Sequence, residues 1–434
     1  VSRRNAHGKI EILGVGKAKS LGVHKGIVNN ISQTIQSIKA AVAEAQSSSG
    51  VLIRKVTVGI AGKHIRSLQH SDYIMRDNPD QYITEEDIER LKDQVKKLVM
   101  LPGEEIIHVL PQEYKVDSEG EIQEPIGMHG KRLEANFHVV VGQMGSIRNI
   151  ARCVREAGLE MEALTLEPLA SSESVLTKEE KEAGVAIVDI GGGTTDIAIF
   201  KDNIIRHTCV IPYGGGIITD DIKEGCSIIE KHAEQLKVKF GSAVPELEKD
   251  STFVTIPGLH GRPDKEISLK TLAQVVNARV EEILEMVNTE LKAYGAFEQK
   301  KKLIAGIVLT GGGSNLRHLR QLANYTTGFD SRIGFANEYI ANDKNQQLKG
   351  PEYATSIGLL MESLKIRDKK NGLEQPEEVV EKQEIIDTPK VIVETPEFRT
   401  EEIAVPETAN RRKDKPTIGQ KIMESVKKFF EEVE

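Results

Sequence analysis

Three glycine-rich turns between residues 189 and 314 carry the residue types that bind phosphate. They are Gly191-Gly192-Gly193-Thr194-Thr195, Tyr213-Gly214-Gly215-Gly216 and Thr310-Gly311-Gly312-Gly313-Ser314. Glycine lets the backbone turn tightly and expose N–H groups, and threonine adds hydroxyl donors, so such turns can cradle phosphates. A single turn of this kind is more often a tight hairpin that binds no ligand. Three of them, each after an apolar strand, favour a nucleotide site.

Side chains beside these turns add charge and hydrogen-bonding groups. Asp189 ends an apolar strand, where a carboxylate can hold a water molecule bound to Mg²⁺. Glu234 and Lys237 lie one helical turn apart on a predicted helix, 227–239, and could hold a ribose, although such a pair alone is more often a surface ion pair. Ser314 is placed to cap a following helix, whose N-terminus suits a nucleotide.

The first turn differs from the two commonest nucleotide-binding loops. It joins an apolar strand at 185–190 to a second strand at 196–200, whereas a Walker loop or a dinucleotide fingerprint leads into a helix. The GxxxxGK[ST] pattern of the Walker loop is also absent. The sequence therefore indicates a phosphate-binding hairpin between two strands.

Alternating strands and helices must hold these turns in place. From residue 185 to about 365, apolar strands alternate with glycine-rich turns and helices, which predicts an α/β fold. Further upstream, strands are predicted at 9–15 and 55–61, and Asn30 is placed to cap a helix between them.

A separate small unit is predicted between the early strands and the main α/β region. Thr84 opens a helix with one apolar stripe, and strands follow at 105–110 and 136–141. A helix at 147–157 and a helix of small residues near 166–176 then lead back to the main region.

Composition argues against several classes of function. The net charge of -8 and the aromatic content of 4% disfavour a nucleic-acid-binding protein. The three cysteines, Cys153, Cys209 and Cys226, are far apart and form no metal-binding pattern, which indicates reduced thiols in the cytoplasm. No apolar run is long enough to span a bilayer, and no signal peptide is recognised.

The chain changes character after the α/β region. Residues 368–415 are rich in Asp and Glu, contain four prolines and hold few clustered apolar residues, which predicts a disordered acidic linker. Residues 416–434 are predicted to form an amphipathic helix that begins with a capping box at Thr417. Its apolar face comprises Ile418, Ile422, Met423, Val426, Phe429, Phe430 and Val433.

The terminal helix is predicted to bind a membrane surface. Its pattern is that of an interfacial helix, and a long tether is of little use to a helix that packs on its own domain. Docking on the protein core or on a partner helix is the alternative. Partial burial of about seven apolar side chains favours membrane binding, but the entropy lost when a short helix becomes ordered offsets much of this free energy. One helix therefore binds weakly, whereas a row of helices on a filament binds tightly by avidity.

Several strings resemble the actin, heat-shock chaperone and sugar kinase superfamily and, within it, the FtsA family of bacterial cell-division proteins. The resemblance extends over about residues 9–365. It implies an actin-like two-lobed ATPase fold with an inserted small α/β subdomain of the SHS2 type and a disordered C-terminal tail. The strings are 22–30, 110–114, 166–172, 185–200 and 306–312.

The resemblance also implies a role for each site residue. Glu167 orients the attacking water, Asp189 holds the water shell of Mg²⁺, and Glu234 and Lys237 hold the ribose. Phosphate and nucleotide contacts come from Gly192, Gly193, Thr194, Thr195, Gly215 and Gly216. Adenosine lies against Gly312, Gly313 and Ser314. The implied cofactors are ATP and Mg²⁺, and any hydrolysis is expected to be slow.

One part of the family pattern is not found in this sequence. In the family a first phosphate hairpin precedes the strand at 9–15, together with one acidic Mg²⁺ position. The sequence is therefore interpreted as an N-terminally truncated member, in which nucleotide binding would be weakened.

The resemblance further implies a division into domains. The insert serves head-to-tail self-association, and a second small subdomain binds the C-terminal peptide of the tubulin-like protein FtsZ. The implied parts are lobe 1 (1–65 and 144–184), the insert (66–143), lobe 2 (185–214 and 303–367), the small subdomain (215–302), the linker (368–415) and the terminal helix (416–434).

The implied partners are FtsZ, other copies of the chain, an anionic membrane surface and later division proteins. Arg279, predicted at the start of a charged helix, is the candidate contact for the acidic FtsZ peptide, and a solvated surface arginine is an equal alternative. The implied function is to anchor FtsZ filaments, the Z ring, at the cytoplasmic face of the inner membrane at the division site.

Other proteins of this fold remain alternatives. A sugar kinase needs a carboxylate base for its substrate in the cleft and needs no membrane helix. A chaperone needs a C-terminal β domain, for which residues 368–434 are too sparse. An adaptor of a pilus or secretion machine shares the core, and the terminal helix argues against it.

Overall fold

The first part of the chain consists of short strands and one long helix. In this computed structural model, the side chain of Asn30 accepts a hydrogen bond from the backbone N–H of Gln33 at 3.1 Å, so Asn30 caps the helix as predicted. The strand predicted at 9–15 is shorter than expected. The elements are β1 (Ser2–Arg4), β2 (Ile10–Ile12), β3 (Val23–His24), β4 (Ile27–Val28), α1 (Ile31–Ser49) and β5 (Lys55–Ile60).

The described residues do not include every predicted element. The terminal helix predicted at 416–434, with its apolar face, and the linker from residue 371 onward lie outside them. The structure describes residues 1–5, 8–258, 263–336, 340–341 and 348–370.

An insert follows β5, and it has its own sheet and core. Its four strands are antiparallel and lie in the order β6-β9-β7-β8. The helix opens at Thr84, as predicted, where the structure adds a capping box, and it buries Ile88, Leu91 and Val95 against the sheet. The elements are β6 (Ile65–Met75), α2 (Glu85–Val95), β7 (Glu104–Val116), β8 (Glu119–Ile122) and β9 (Arg132–Gln143).

The chain then returns beside β5. The strand β10, which follows the helix α3, pairs with β5 in parallel. It leads directly into α4, a short helix rich in small residues. Small residues let this helix approach the rest of the protein closely. The elements are α3 (Met144–Glu156), β10 (Glu160–Leu166), α4 (Glu167–Val175) and α5 (Lys178–Ala183).

The remaining elements build the main sheet and a helical subdomain beside it. Short 3₁₀ turns at Pro245–Leu247, Gly312–Asn315 and Pro351–Tyr353 connect some of them. In chain order they are β11 (Val185–Ile190), β12 (Thr195–Lys201), β13 (Ile204–Ile211), α6 (Gly215–Gly225), α7 (Glu230–Phe240), β14 (Phe253–Ile256), β15 (Lys265–Ser268), α8 (Leu269–Tyr294), β16 (Ile307–Thr310), α9 (Leu319–Thr327), β17 (Ser331–Ile333) and α10 (Ala354–Lys370).

The main sheet has five strands in the order β13-β12-β11-β16-β17 and is covered on both faces. Because side chains alternate along a strand, Ala186 and Val188 pack against the helical subdomain, whereas Val185 and Ile187 pack in the core with α4 and α10. All six residues of β11 are buried. The sheet thus places the ends of β11 and β16, with their glycine turns, between two helical layers.

Four further local predictions differ from the structure. The helix predicted at 227–239 begins later, at Glu230, and Arg279 lies well inside α8 instead of at the start of a helix. Ser314 does not cap the next helix: it lies in a 3₁₀ turn, and its hydroxyl donates to the Thr310 carbonyl at 2.6 Å. Residues 368–370, assigned to the linker, are the last residues of α10.

Among the described residues, no helix is both long and apolar enough to cross a membrane.

Candidate functional site

Asp189 lies at the buried end of a cleft beside the main sheet. It continues the row of Val185 and Ile187, so its side chain faces α4 and α10. Its Oδ2 atom accepts hydrogen bonds from the hydroxyls of Ser171, at 2.6 Å, and Thr355, at 3.0 Å. These two donors hold one carboxylate oxygen of Asp189 in a fixed direction.

Asp196 is the direct neighbour of Asp189 on the adjacent strand. The first glycine turn joins β11 to β12 so that Ile190 pairs with Thr195 and Asp189 with Asp196. Like charges directly opposite each other destabilise a sheet. The Thr194 hydroxyl donates to Oδ2 of Asp196 at 2.9 Å, and Oδ1 is buried without a hydrogen-bond partner among the described residues.

Glu167 adds a third carboxyl group to the cleft. It is the first residue of α4, where an acidic side chain is favoured by the partial positive charge of the helix N-terminus. The side chain lies over β5: a Cβ atom on Gly59 would come within 2.9 Å of its Cγ atom. The cleft thus contains an acidic group from each of three elements.

The electrostatics of these three groups are unfavourable without a cation. Burial and then the charge of Asp189 raise the pKa of Glu167 to about 7. Burial also raises the pKa of Asp189 and, together with Glu167 and Asp189, raises the pKa of Asp196 well above its usual value. Groups with pKa values shifted by burial and like charge are typical of functional sites.

A cavity of about 400 Å³ lies over these carboxyl groups. This volume is within the range of small-molecule sites. Its walls include the first glycine turn, the start of the third, one residue just before α10 and one in its first turn. They are Gly26, Ala61, Glu167, Asp189, Gly191, Gly192, Gly193, Thr194, Asp196, Gly311, Gly312, Glu352 and Thr355.

The second and third turns are fixed against the first. The N–H groups of Gly215 and Gly216 donate to the carbonyls of Gly191, at 2.8 Å, and Gly192, at 2.7 Å. Gly311 has a φ of 81°, a conformation that favours glycine, and a Cβ atom there would lie 2.2 Å from Oδ1 of Asp189. The three turns therefore form one unit around the acidic cleft, as their shared residue types suggest.

Several of the predicted site residues pack behind the cavity. The Thr195 hydroxyl donates to the Tyr213 carbonyl at 2.8 Å, so it fixes the second turn. Gly313 lies against Ile190, and the hydroxyl of Ser314 is bound within its own turn. In contrast, Gly192, Gly193, Thr194 and Gly312 line the cavity.

Glu234 and Lys237 form an ion pair on α7, at 2.7 Å. Lys237 Nζ also donates to the Gly215 carbonyl and to the Thr219 hydroxyl, both at 2.7 Å. The pair is thus joined to the second glycine turn, next to the cavity wall.

Sequence reasoning missed several contributors to the cleft, of which Asp196 and Thr355 are the most important. Asp196 could have been found, because a short hairpin after Asp189 sets the register that pairs the two acids. Thr355 comes from a distant segment with no local signal. Gly26 in the β3–β4 hairpin also lines the cavity, and the backbone of the adjacent Lys25 lies 3.2 Å from a Cβ atom placed on Gly193.

Comparison with known proteins identifies the family. The model of cell division protein FtsA matches residues 186–358, and the model of the SHS2 domain inserted in FtsA matches residues 62–141. Cell division protein FtsA of Pseudomonas aeruginosa is 40% identical over 365 residues, which are 84% of this chain and 86% of that protein. The Neisseria meningitidis FtsA is 37% identical over 369 residues, covering 85% and 87%.

A solved structure supports the fold. The chain resembles the PilM–PilN type IV pilus biogenesis complex with a TM-score of 0.60 and 16% identity, over 84% of this chain and 94% of that one. At this identity the likeness concerns the fold alone. The predicted actin-like two-lobed fold with an SHS2 insert is confirmed, and the high identity to the cell-division proteins shows that the chain belongs to the FtsA family.

Proposed function

We propose that this chain is a cell-division adaptor that binds ATP with Mg²⁺, self-associates and anchors FtsZ filaments to the cytoplasmic membrane at the division site. The observation that carries the nucleotide part is the meeting of glycine turns and buried carboxyl groups at one cavity. Membership of a family of cell-division proteins supports the cellular role over a sugar kinase or a pilus adaptor.

The residues present fit a nucleotide phosphate with a divalent cation. The Gly191–Thr194 turn offers backbone N–H groups for phosphate, since no side chain occupies Gly192 or Gly193. Oδ1 of Asp196 is buried and has no hydrogen-bond partner in the described part of the chain, which calls for a positive charge or a donor. Raised pKa values at Glu167, Asp189 and Asp196 point the same way.

The metal would be held largely through water and phosphate oxygens. Among the residues that the structure describes, no group of three or more acidic, His or Cys residues is arranged to hold a metal ion directly. Mg²⁺ keeps several waters in most nucleotide sites and takes few protein ligands. Asp189 and Asp196 would accept hydrogen bonds from those waters, and when bound the ion would neutralise charge on the phosphates.

Hydrolysis is expected to be slow. Glu167 would orient a water molecule, which requires the ionised carboxylate. With a pKa of about 7, Glu167 is only partly ionised near neutral pH in the absence of a cation. A bound cation would favour the ionised form of Glu167, so the slow rate is proposed from the family resemblance, in which ATP acts mainly as a ligand that selects a conformation.

Partner binding is assigned to three other regions. The insert would mediate self-association, and the helical subdomain that contains α8 would bind the FtsZ peptide near Arg279. Arg279 already pairs with Asp221, at 2.5 Å, and with Glu282, so an acidic peptide would compete with these two residues. Membrane binding is assigned from sequence to the terminal segment 416–434, through Phe429, Phe430 and their apolar neighbours.

The function is tested first by nucleotide binding. Titration calorimetry of the chain with ATP should give saturable binding with Mg²⁺ and much weaker binding in EDTA. Equal affinity with and without Mg²⁺ would contradict the assignment of the acidic cleft to the metal. No ATP binding under either condition would contradict the nucleotide part of the proposal.

The anchoring role is tested by co-sedimentation of FtsZ filaments with anionic liposomes. We expect the chain to bring FtsZ down with the vesicles, and the Phe429→Asp, Phe430→Asp double variant to leave it in the supernatant. If the chain sediments without FtsZ, the partner is wrong and the membrane assignment stands. If the double variant still recruits FtsZ to the vesicles, the terminal segment is not the anchor.

A further inference from the structure

Glu352 and Asn315 form a polar pair at the exposed end of the cavity. Glu352 belongs to the 3₁₀ turn Pro351–Tyr353 just before α10, and Asn315 ends the turn that begins at Gly312. The Asn315 amide donates to Oε2 of Glu352 at 3.0 Å. Glu352 lines the cavity, whereas the function derived above gives it no role.

The position of the Glu352 carboxylate is set by its surroundings. It folds over Gly350, where a Cβ atom would lie only 2.0 Å from Oε2. Gly350 has a φ of -79°, which any residue adopts, so glycine here provides space and is not needed for its backbone conformation. The Pro351 carbonyl accepts from Gly311 N at 3.1 Å and from the Thr310 hydroxyl at 3.2 Å, which fixes the turn.

The residues along the cavity define a direction. Asp189 is buried and touches Gly311, the next residue Gly312 approaches Glu352, and Glu352 and Asn315 are exposed. If phosphates lie over the buried acidic end, as proposed above, the opposite part of the nucleotide lies at the exposed end. That part is the base.

We propose that Glu352 recognises the 6-amino group of adenine and that Asn315 and Gly350 position its carboxylate. An ionised carboxylate only accepts hydrogen bonds, so it favours an amino group. Inosine and guanine carry an oxygen at the same position, and two acceptors would then face each other. Because Glu352 is exposed, the preference comes from the loss of one charge-assisted hydrogen bond and the gain of a repulsion between two acceptors. This inference rests on the proposed nucleotide site and adds its base specificity.

The test compares ATP with ITP, which differs from ATP in having an oxygen in place of the 6-amino group. Competition against a fluorescent ATP analogue, in the presence of Mg²⁺, gives both affinities on the full chain. We expect ATP to bind about 10- to 100-fold more tightly than ITP, as for loss of a hydrogen bond to a charged group.

Three variants separate recognition from positioning. Glu352→Gln should bring ATP and ITP to within about 3-fold, because the amide of glutamine can donate to the 6-oxygen as well as accept. Gly350→Ala should displace the carboxylate and reduce the preference, and Asn315→Ala should reduce it less. Glu119→Gln, the same chemical change at an exposed site in the insert, should leave the preference unchanged.

Each outcome decides between the proposals. If the intact chain binds ATP and ITP equally, or if Glu352→Gln keeps the full preference, base recognition by Glu352 is overturned and the nucleotide site stands. If neither nucleotide binds, both the nucleotide site and this inference are overturned. Should Glu352→Gln fail to fold, the preference of Gly350→Ala decides: an unchanged ATP to ITP ratio contradicts the proposal.

Discussion

The acidic cleft and the junction between the insert and the main sheet are both buried and polar, and they differ in how their groups are satisfied. In the cleft, Glu167, Asp189 and Asp196 repel one another, and one Asp196 oxygen has no partner among the described residues. At the junction, polar groups meet and are paired, including the ion pair of Arg206 with Glu113 at 2.6 Å. Polar groups that are all hydrogen-bonded within the protein can have a purely structural role. Buried polar groups that lack partners require a bound ligand or ion to satisfy them.

The junction uses side chains to cover an exposed strand edge. β13 is the edge strand of the main sheet, and its carbonyls accept hydrogen bonds from the insert: Thr208 from Ser67 at 3.2 Å, Arg206 from Gln69 at 3.3 Å. An edge covered in this way does not pair with other strands. The insert is therefore bound to the main sheet as well as connected by the chain to β5 and α3.

His138 is the buried centre of this junction, with 1% of its surface exposed. Its Nε2 lies 2.8 Å from the Thr208 hydroxyl, and its Nδ1 lies 3.3 Å from the Gln69 amide nitrogen. Since that amide nitrogen is a donor, Nδ1 must accept, and Nε2 carries the proton. The ring is thus held in its neutral form by partners on both sides.

The largest expected effect comes from removing one charge from the cleft. Asp196→Asn should weaken Mg·ATP binding by about 100-fold, because the cation loses an acidic partner. Without nucleotide, the same change should leave the free energy of unfolding equal or raise it by about 1 kcal/mol, because it relieves repulsion between facing acids. Calorimetric titration and chemical denaturation measure the two quantities.

The matched control for this change is Asp220→Asn. The Asp220 side chain is 61% exposed on α6 and pairs with Lys223 at the surface, so neither quantity should change. If Asp196→Asn binds Mg·ATP like the unchanged chain and is less stable, Asp196 stabilises the fold and does not bind the cation. The contrast drawn between cleft and junction would then be wrong.

A change at the junction should reduce stability and leave nucleotide affinity unchanged, the opposite of the result expected for Asp196→Asn. His138→Ala leaves a cavity and removes the partner of Thr208, which should cost about 3 kcal/mol of unfolding free energy. Mg·ATP affinity of the folded protein should remain the same, since His138 is not part of the cavity wall. Denaturation and the titration used above give both values.

His70→Ala is the control within the insert. It lies one residue after Gln69 on β6, on the other face of the strand, and is only half-buried, so its cost should stay below about 1 kcal/mol. Loss of ATP binding in His138→Ala under conditions where it is fully folded would show that the junction communicates with the cleft.

The contributions of the cleft and of the junction to the free energy of unfolding should change with pH in opposite directions. Glu167 has a folded pKa of about 7 against 4.5 in a model peptide, so the folded state binds more protons between these values and stability falls as pH rises. For His138 burial, and then the charge of His207, lower the pKa from 6.5 to about 4. The unfolded state then binds more protons in that range, and stability rises with pH.

Substitution of one titrating residue at a time separates these two pH dependences of stability. In Glu167→Gln the fall in stability between pH 4.5 and 7 should become smaller, by at most about 3 kcal/mol without nucleotide, and the parts due to Asp189 and Asp196 should remain. In His138→Gln the loss of stability below pH 6.5 should become smaller. Melting temperatures across this range, compared with the unchanged chain, measure both. Equal slopes in all three proteins would contradict the assigned pKa shifts.

Sequence patterns predicted the elements of both regions better than their contacts. The glycine turns, the strand at 185–190 and the cap at Asn30 follow from local chemistry, and the structure has them. The pairing of Asp189 with Asp196 followed from hairpin register and was overlooked. Contacts such as Asp189 with Thr355 join segments 166 residues apart, and no local pattern specifies them.

Ser314 shows how tertiary contacts override a local signal. A serine after glycines and before leucines is typical of a helix N-cap. Here the turn is held by Gly311, whose N–H donates to Pro351, so residues 312–315 form a 3₁₀ turn and the helix begins only at Leu319. The sequence could not predict this, because Pro351 lies in a different part of the chain.

The smallest expected effect on stability concerns Arg279, which resembles neither region because its partners are partly exposed. Arg279→Ala removes ion pairs with Asp221 and Glu282 and should cost less than about 1 kcal/mol. If this arginine contacts the acidic FtsZ peptide, the same change should weaken peptide binding by about tenfold, measured by fluorescence anisotropy. Arg152→Ala, which breaks a similar exposed pair on α3, should leave peptide binding unchanged. Unaltered binding in both variants would mean that Arg279 serves only its own ion pairs, and the partner surface would have to lie elsewhere.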